Sequence, residues 1–305
     1  MNSNIQNQQD TSKRNSFLEL YRFLFAMWVV WYHGFFLFKN EYFDDGYLAV
    51  EFFFLLSGFY YLKTLDKHKQ SPFFVGLIKM VWSKIKPLGI AFAVGIVFVV
   101  WQRILEGKPV LMGYLWYVPI MLLSFVLIYI LHRLIKSKTS FIIVLAAIAL
   151  GCYLILYIPI SEKLGVARGI GAVSLGVLLS YIPKVNLNIN KINLNWIIIS
   201  LVFAVVIFLA YIPKDGWMFE HLLIFVFMPA LIYFTSTVHL NCKVLNYLGS
   251  LSFPIYAFQC VLRVIRMTCS IPQFWFFIIL AGLVTVNQLI SLFIRKLRSG
   301  YNVAQ

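Results

Sequence analysis

Arg22 and His33 lie eleven residues apart in the apolar run Phe17-Leu-Glu-Leu-Tyr-Arg-Phe-Leu-Phe-Ala-Met-Trp-Val-Val-Trp-Tyr-His33. Eleven steps of about 100° return a helix to within about 20° of its starting face, with a rise of roughly 16 Å. If the run crosses a membrane, one face carries a permanent cation at one depth and an imidazole, titratable near neutrality, at another. Ionisable groups inside a hydrocarbon-length segment are costly, and they usually mark a pathway or a reaction. An imidazole there suits a general base or an acyl carrier; its structural alternative is a hydrogen bond to a neighbouring helix. The guanidinium suits phosphate oxygens or another polar part of a cofactor. Its structural alternative is an ion pair with Glu19, three residues earlier.

Glu51 follows Gly46-Tyr-Leu-Ala-Val at the head of the next apolar run. Counted from the outer surface, its depth is expected to be similar to that of His33. A carboxylate there needs a partner. Two remain open: His33, whose ring a carboxylate would orient, or Arg263 or Arg266 near the outer end of a later run. Ser57-Gly58 lies further along the Glu51 run. With no second base near it in sequence, Ser57 reads as a small packing residue, not a nucleophile. Trp116 and Tyr117 open a run at a level where aromatic belts collect. Pro119, Pro229 and Pro254 fall inside runs and are expected to kink them and free carbonyls. His68, His132, His221 and His239 lie at or beyond run ends and read as solvated or interfacial.

The elements that hold these residues follow from composition. Hydrophobic residues make up 61% of the 305, and the mean hydropathy is +0.84. Together with recurring apolar stretches of about 20 residues, this predicts an all-α polytopic membrane protein. Ten spans are expected near 17–38, 46–63, 87–105, 111–131, 140–160, 168–183, 194–213, 217–238, 247–267 and 271–294. The sixth is short and interrupted by Gly169, Gly171 and Gly176. Residues 1–16 are polar and expected to be a disordered cytoplasmic terminus; 17–295 form one transmembrane domain, and 296–305 a cytoplasmic tail. The first run is too long for a signal-peptide core and lacks a small-residue cleavage site, so it is expected to stay as a span. The net charge of +15 does not indicate nucleic acid, because the basic residues fall between spans. Cys152, Cys242, Cys260 and Cys269 follow no disulfide or metal-ligand spacing, and no metal is expected.

Topology follows from Lys and Arg. With the N-terminus inside, seventeen fall in cytoplasmic segments and six in outer loops, leaving Arg22, Arg263 and Arg266 within spans or at their ends. The excess inside predicts both termini in the cytoplasm and an even number of spans. Arg22 then lies in the cytoplasmic half of the first span and His33 near its outer end. Segment 64–86 differs from the other connections. Ser71-Pro72 is a helix start, and the apolar run beyond it ends in Lys84 and Lys86, which predicts an amphipathic helix on the cytoplasmic face.

Four pieces of sequence resemble acyltransferase family 3, membrane enzymes that modify cell-surface sugars. They are Glu19-x-x-Arg22 with His33 eleven residues on; Glu51-Phe-Phe-Phe-Leu-Leu-Ser57-Gly58-Phe59 after Gly46; Lys84-Ile-Lys86-Pro87, where the family usually has arginines; and Leu248-Gly-Ser-Leu-Ser252-Phe-Pro-Ile-Tyr256. Two features depart from the pattern: Gln259 stands where relatives often have His, and no stretch of these 305 residues is expected to form the extracellular hydrolase-like domain that many relatives carry.

The resemblance implies an O-acyltransferase of the cytoplasmic membrane. Such an enzyme takes an acyl group, by family habit acetyl, from cytoplasmic acyl-CoA. It passes the group to a hydroxyl of an extracytoplasmic or lipid-linked glycan such as a capsular, exopolysaccharide or wall polymer. Arg22, Lys84 and Lys86 are expected to hold CoA phosphates. His33 would act as base or acyl carrier with Glu51 orienting it, and Glu19, Ser57, Trp116, Tyr256, Gln259 and Arg263 would support the site. The expected partners are acyl-CoA, the glycan acceptor and membrane lipid. Two other classes fit buried charges and kinked helices: a transporter or flippase for a lipid-linked saccharide, and a non-catalytic subunit of a polysaccharide assembly complex. Acetylation of glycan by the purified protein separates them.

Overall fold

The computed structural model describes residues 15–33, 46–107, 115–156, 164–183, 220, 223–237, 241–268 and 273–301. Among these, all regular structure is helical. In chain order the helices are α1 (Ser16–His33), α2 (Ala49–His68), α3 (Phe73–Ile85), α4 (Gly89–Glu106), α5 (Tyr117–Leu134), α6 (Lys138–Ile155), α7 (Leu164–Ser180), α8 (Met228–Thr237), α9 (Lys243–Thr268) and α10 (Gln273–Tyr301). A 3-10 turn, Gly46–Leu48, leads into α2, a second, Lys86–Leu88, joins α3 to α4, and a π turn, Leu223–Phe227, leads into α8.

Among the described residues, four stretches are long and apolar enough to cross a membrane: Phe73–Glu106, Tyr117–Leu134, Lys138–Ile155 and Phe277–Ile294. Helices α1, α2 and α9, which carry most of the candidate site, do not meet that measure. The expected seventh span, 194–213, lies outside the described residues, as do 1–14.

Two groups of helices form the body. In the first, α1 runs parallel to α9. Asn15 caps α1, its side-chain oxygen accepting from the Phe17 and Leu18 N–H groups at 3.0 and 3.3 Å. Its amide donates to the Thr235 carbonyl at the end of α8. The Ser16 hydroxyl accepts from the Cys242 N–H at 2.7 Å and donates to Asn246 Oδ1 at 2.9 Å. Ser16 meets Asn246, and Glu19 meets Gly249, so one register, a separation of 230 residues, holds along the pair.

In the second group α2, α5 and α7 run parallel to each other and antiparallel to α1. The Ser57 and Tyr117 hydroxyls share a hydrogen bond at 3.1 Å, and Tyr61 donates to the Phe125 carbonyl at 2.7 Å, further along both helices in the same direction. Helices α2 and α7 make the most extensive contact in the molecule. Gly58 and Gly176 permit it: a Cβ on Gly58 would fall on the Val173 carbonyl, and one on Gly176 on the Leu55 carbonyl. Small residues at helix crossings let backbones approach in this way. The glycines that seemed to interrupt the sixth span therefore build its contacts, and α7 is continuous through them.

Two other expectations need adjusting. Pro119 occupies the first turn of α5, where its missing N–H has no helical acceptor, so it starts the helix without kinking it. Pro254 is interior to α9, and Pro229 follows the π turn directly. Beyond Pro72 the predicted helix is present as α3, although Pro72 and not Ser71 holds the capping position. It buries Gly76 and Met80, and the Tyr129 hydroxyl of α5 donates to the Phe73 carbonyl at 3.1 Å. Phe74, Ile78 and Trp82 form a stripe four residues apart that stays 73, 67 and 61% exposed. Helix α10 continues to Tyr301, past the expected start of the tail.

Replacing Gly176 by Val is expected to lower the yield of folded protein sharply, because the obstructing atoms are backbone and cannot rotate away. Replacing Gly151, where a Cβ meets nothing within 4 Å, should leave it unchanged. Size-exclusion profiles in detergent compare the two.

Candidate active site

The Arg22 end of the site is built on α1. Arg22 Nη1 donates to both Glu19 oxygens, at 3.0 and 2.9 Å, one turn apart as the spacing predicts. Glu19 is held down by α9: a Cβ on Gly249 would coincide with its Oε2. The Leu248-Gly-Ser motif thus supplies the flat backbone on which this carboxylate rests. The two members of the pair differ in access, the Arg22 side chain keeping 33% exposure and that of Glu19 only 11%.

Beside Arg22 stands a wall of aromatic rings and hydroxyls. Its charge reaches the Tyr60 hydroxyl on α2 and the Tyr117 hydroxyl on α5. Ser57 shares a hydrogen bond with Tyr117, and the ring of Tyr117 meets that of Tyr256 edge-on at 5.8 Å. Ser57, expected to be a packing residue, engages a tyrosine; Gly58 does the close packing. Trp116 lies against Gly165 and 5.9 Å from the ring of Phe54, bringing the starts of α5 and α7 together beside α2. One turn beyond Tyr256, Gln259 is buried. Among the described residues neither its Nε2 nor its Oε1 has a hydrogen-bond partner.

The lysines separate. Lys84 turns inward: its ammonium donates to the Thr64 hydroxyl at 3.3 Å and stands 5.4 and 5.1 Å from the ring centres of Tyr61 and Phe125. Lys86, in the turn between α3 and α4, is exposed.

A second group centres on Glu51, which is 1% exposed. Its Oε1 lies 3.5 Å from Arg168 Nε, and its Oε2 accepts from the Tyr153 hydroxyl at 3.4 Å. Arg168 Nη2 is in turn 3.8 Å from Glu220. The network joins α2, α6, α7 and the residue ahead of the π turn. The charge pattern puts Arg168 among the six cations of the outer loops, whereas the structure places it inside α7. The missed signal was an Arg within reach of a span that carries an unmatched carboxylate.

The depth expected for Glu51 also changes. Gly46 abuts Tyr32 and the Trp28 carbonyl, and Phe52 stacks on Phe25 at 4.1 Å. This register sets Glu51 level with Ala26, seven residues and about 10 Å below His33. The side chain of His33 lies outside what is described, and with it the expected contact to Glu51; the same holds for the side chain of Arg263. The backbones of both are placed: His33 closes α1, and the 230-residue register of α9 sets Arg263 level with it.

A buried pair broken on one side costs about 3–5 kcal/mol, more than removing both partners. Glu51→Ala is therefore expected to destabilise the protein strongly, and Glu51→Leu combined with Arg168→Met to restore part of the loss. Thermal unfolding in detergent measures the cycle, and strictly additive losses would deny the pair this role.

The model of a family described as an acyltransferase domain matches residues 15–294. No curated protein and no solved structure matches the chain. The matched stretch covers nearly the whole length and contains all four motifs set out above. With apolar helices fit to cross a bilayer, the chain is a membrane acyltransferase and belongs to acyltransferase family 3.

Proposed function

We propose that this protein transfers an acetyl group from cytoplasmic acetyl-CoA to a hydroxyl of an extracytoplasmic or lipid-linked polysaccharide, acting from the cell membrane through ten spans with both termini inside. One observation carries this reading: α1 bears a guanidinium with an open side at one level and ends at His33, eleven residues further on, along a wall of hydroxyls and rings. The helix directions support it. Helices α1 and α9 run one way and α2, α5 and α7 the other, as alternate crossing of a membrane requires.

Arg22 and Lys86 bind CoA phosphates, the first beside Glu19 and the second at the cytoplasmic face. Lys84 adds positive potential from its place beside Tyr61 and Phe125. The pantetheine arm rises past Tyr117 and Tyr256 and brings the thioester to His33. The imidazole takes the proton of the sugar hydroxyl as its oxygen attacks the thioester carbonyl. The C–S bond then breaks, and the proton passes to the departing thiolate. In the stepwise variant the imidazole holds the acetyl group between two transfers. Glu51 is a positioning residue, fixing α2 on α7 through Arg168.

The test is glycan acetylation from labelled acetyl-CoA by the purified protein in lipid nanodiscs. His33→Gln, with an unchanged melting profile, should lose about 10²-fold or more, the usual worth of a general base. A folded His33→Gln protein with normal turnover would remove the imidazole from the reaction. Arg22 needs a paired design, since Arg22→Ala alone strands a covered carboxylate. Against Glu19→Gln as reference, Glu19→Gln/Arg22→Ala should raise the KM for acetyl-CoA with little change in kcat. An unaltered KM would take Arg22 out of the donor site.

A further inference from the structure

The carboxamide of Gln259 is 4% exposed, and among the described residues neither of its polar atoms has a hydrogen-bond partner. An amide left so is destabilising, and native proteins rarely keep one without use. Its place is set by α9. The register that pairs Ser16 with Asn246 and Glu19 with Gly249 puts Gln259 level with Val29. That is seven residues, about 10 Å, above Arg22 and four residues, about 6 Å, below His33. It also lies one turn beyond Tyr256, whose ring meets Tyr117 in the wall beside Arg22. The amide therefore extends the same polar line toward the outer end of α1.

We propose that Gln259 receives the pantetheine amide nearest the thioester of the acyl donor, its Oε1 accepting from the amide N–H. This rests on the acyl-CoA reading given above and adds to it a specificity-determining residue. The dimensions agree. In an acyl-CoA that amide nitrogen is separated from sulfur by two carbons, about 4 Å at ordinary bond lengths. A thioester carbonyl at the level of His33 thus brings the amide to the level of Gln259. The chemistry agrees as well. A trans secondary amide turns its N–H and its carbonyl to opposite edges, so one carboxamide meets one edge, and the Gln259 Oε1 answers the N–H. A sugar hydroxyl could use the same groups, but Gln259 lies on the Arg22 side of His33, where the donor arm enters.

The test compares two donors on the full-length protein in nanodiscs: acetyl-CoA, and an analogue in which the N–H of that amide is replaced by CH2. Wild-type protein should show a KM about tenfold or more higher for the analogue at similar kcat. Gln259→Leu should raise the KM for acetyl-CoA to a similar extent and then use the two donors equally. Its unliganded melting temperature should equal or exceed that of wild type, because two unpaired groups have been removed. Gln259→Met serves as a second variant should Leu reduce expression. Equal use of both donors by wild-type protein would overturn the proposal. So would full discrimination retained in Gln259→Leu, or a lowered melting temperature with discrimination intact, which would mark a structural residue. Failure of wild-type protein to use either donor would instead bring down the acyl-CoA reading itself, and this inference with it.

Discussion

A charge enclosed by apolar helices must meet its opposite, and in this protein Glu51 meets Arg168. The carboxylate is removed from solvent, and its desolvation is offset only when the guanidinium of α7 and the hydroxyl of Tyr153 are both in reach. That requirement fixes how α2 lies on α7. Shape imposes the same answer: Gly58 and Gly176 admit the facing backbone at one register only, and it is the register that brings Glu51 to Arg168. Charge and steric fit thus agree on a single arrangement, which is what lets one sequence specify one structure.

The second ion pair is of another kind. Glu19 is covered by the backbone of α9, whereas Arg22 keeps a third of its side chain open. Covering the acid while leaving the base accessible holds a guanidinium in a fixed position with unused donors, an arrangement suited to an anionic ligand. The Glu51–Arg168 network ties three helices and Glu220 together. The Glu19–Arg22 pair leaves its guanidinium open, and this contrast separates the groups that hold the bundle together from those placed to receive something.

Much of this was legible in sequence, and the limits have a physical origin. The Glu19–Arg22 pair, the helix after Pro72 and the family motifs depend on spacing along one chain segment, which periodicity encodes. The Glu51–Arg168 pair depends on how two helices slide past each other, which hydropathy does not report. Glu51 was assigned the depth of His33 by counting from the edge of its apolar run, but the run begins with a 3-10 turn whose Gly46 lies against Tyr32, and this sets the carboxylate deeper. The glycines of α7 were read as breaks for a related reason. Their function is visible only beside the helix they touch. Pro119 was read as a kink because the start of α5 could not be fixed to the residue.

Beyond Gly46, which rests on α1, the two helix groups meet ring to ring. Phe25 faces Phe52, and Tyr117 faces Tyr256, at the places where α1 and α9 come against α2 and α5. Within the second group, backbone rests on glycine and allows no slip. Between the groups, ring rests on ring, a contact that loses little when the surfaces shear by a fraction of an ångström. The candidate route for the donor arm follows this boundary, so the bundle can admit a long, slender guest by parting at its compliant joint while each rigid half keeps its own geometry.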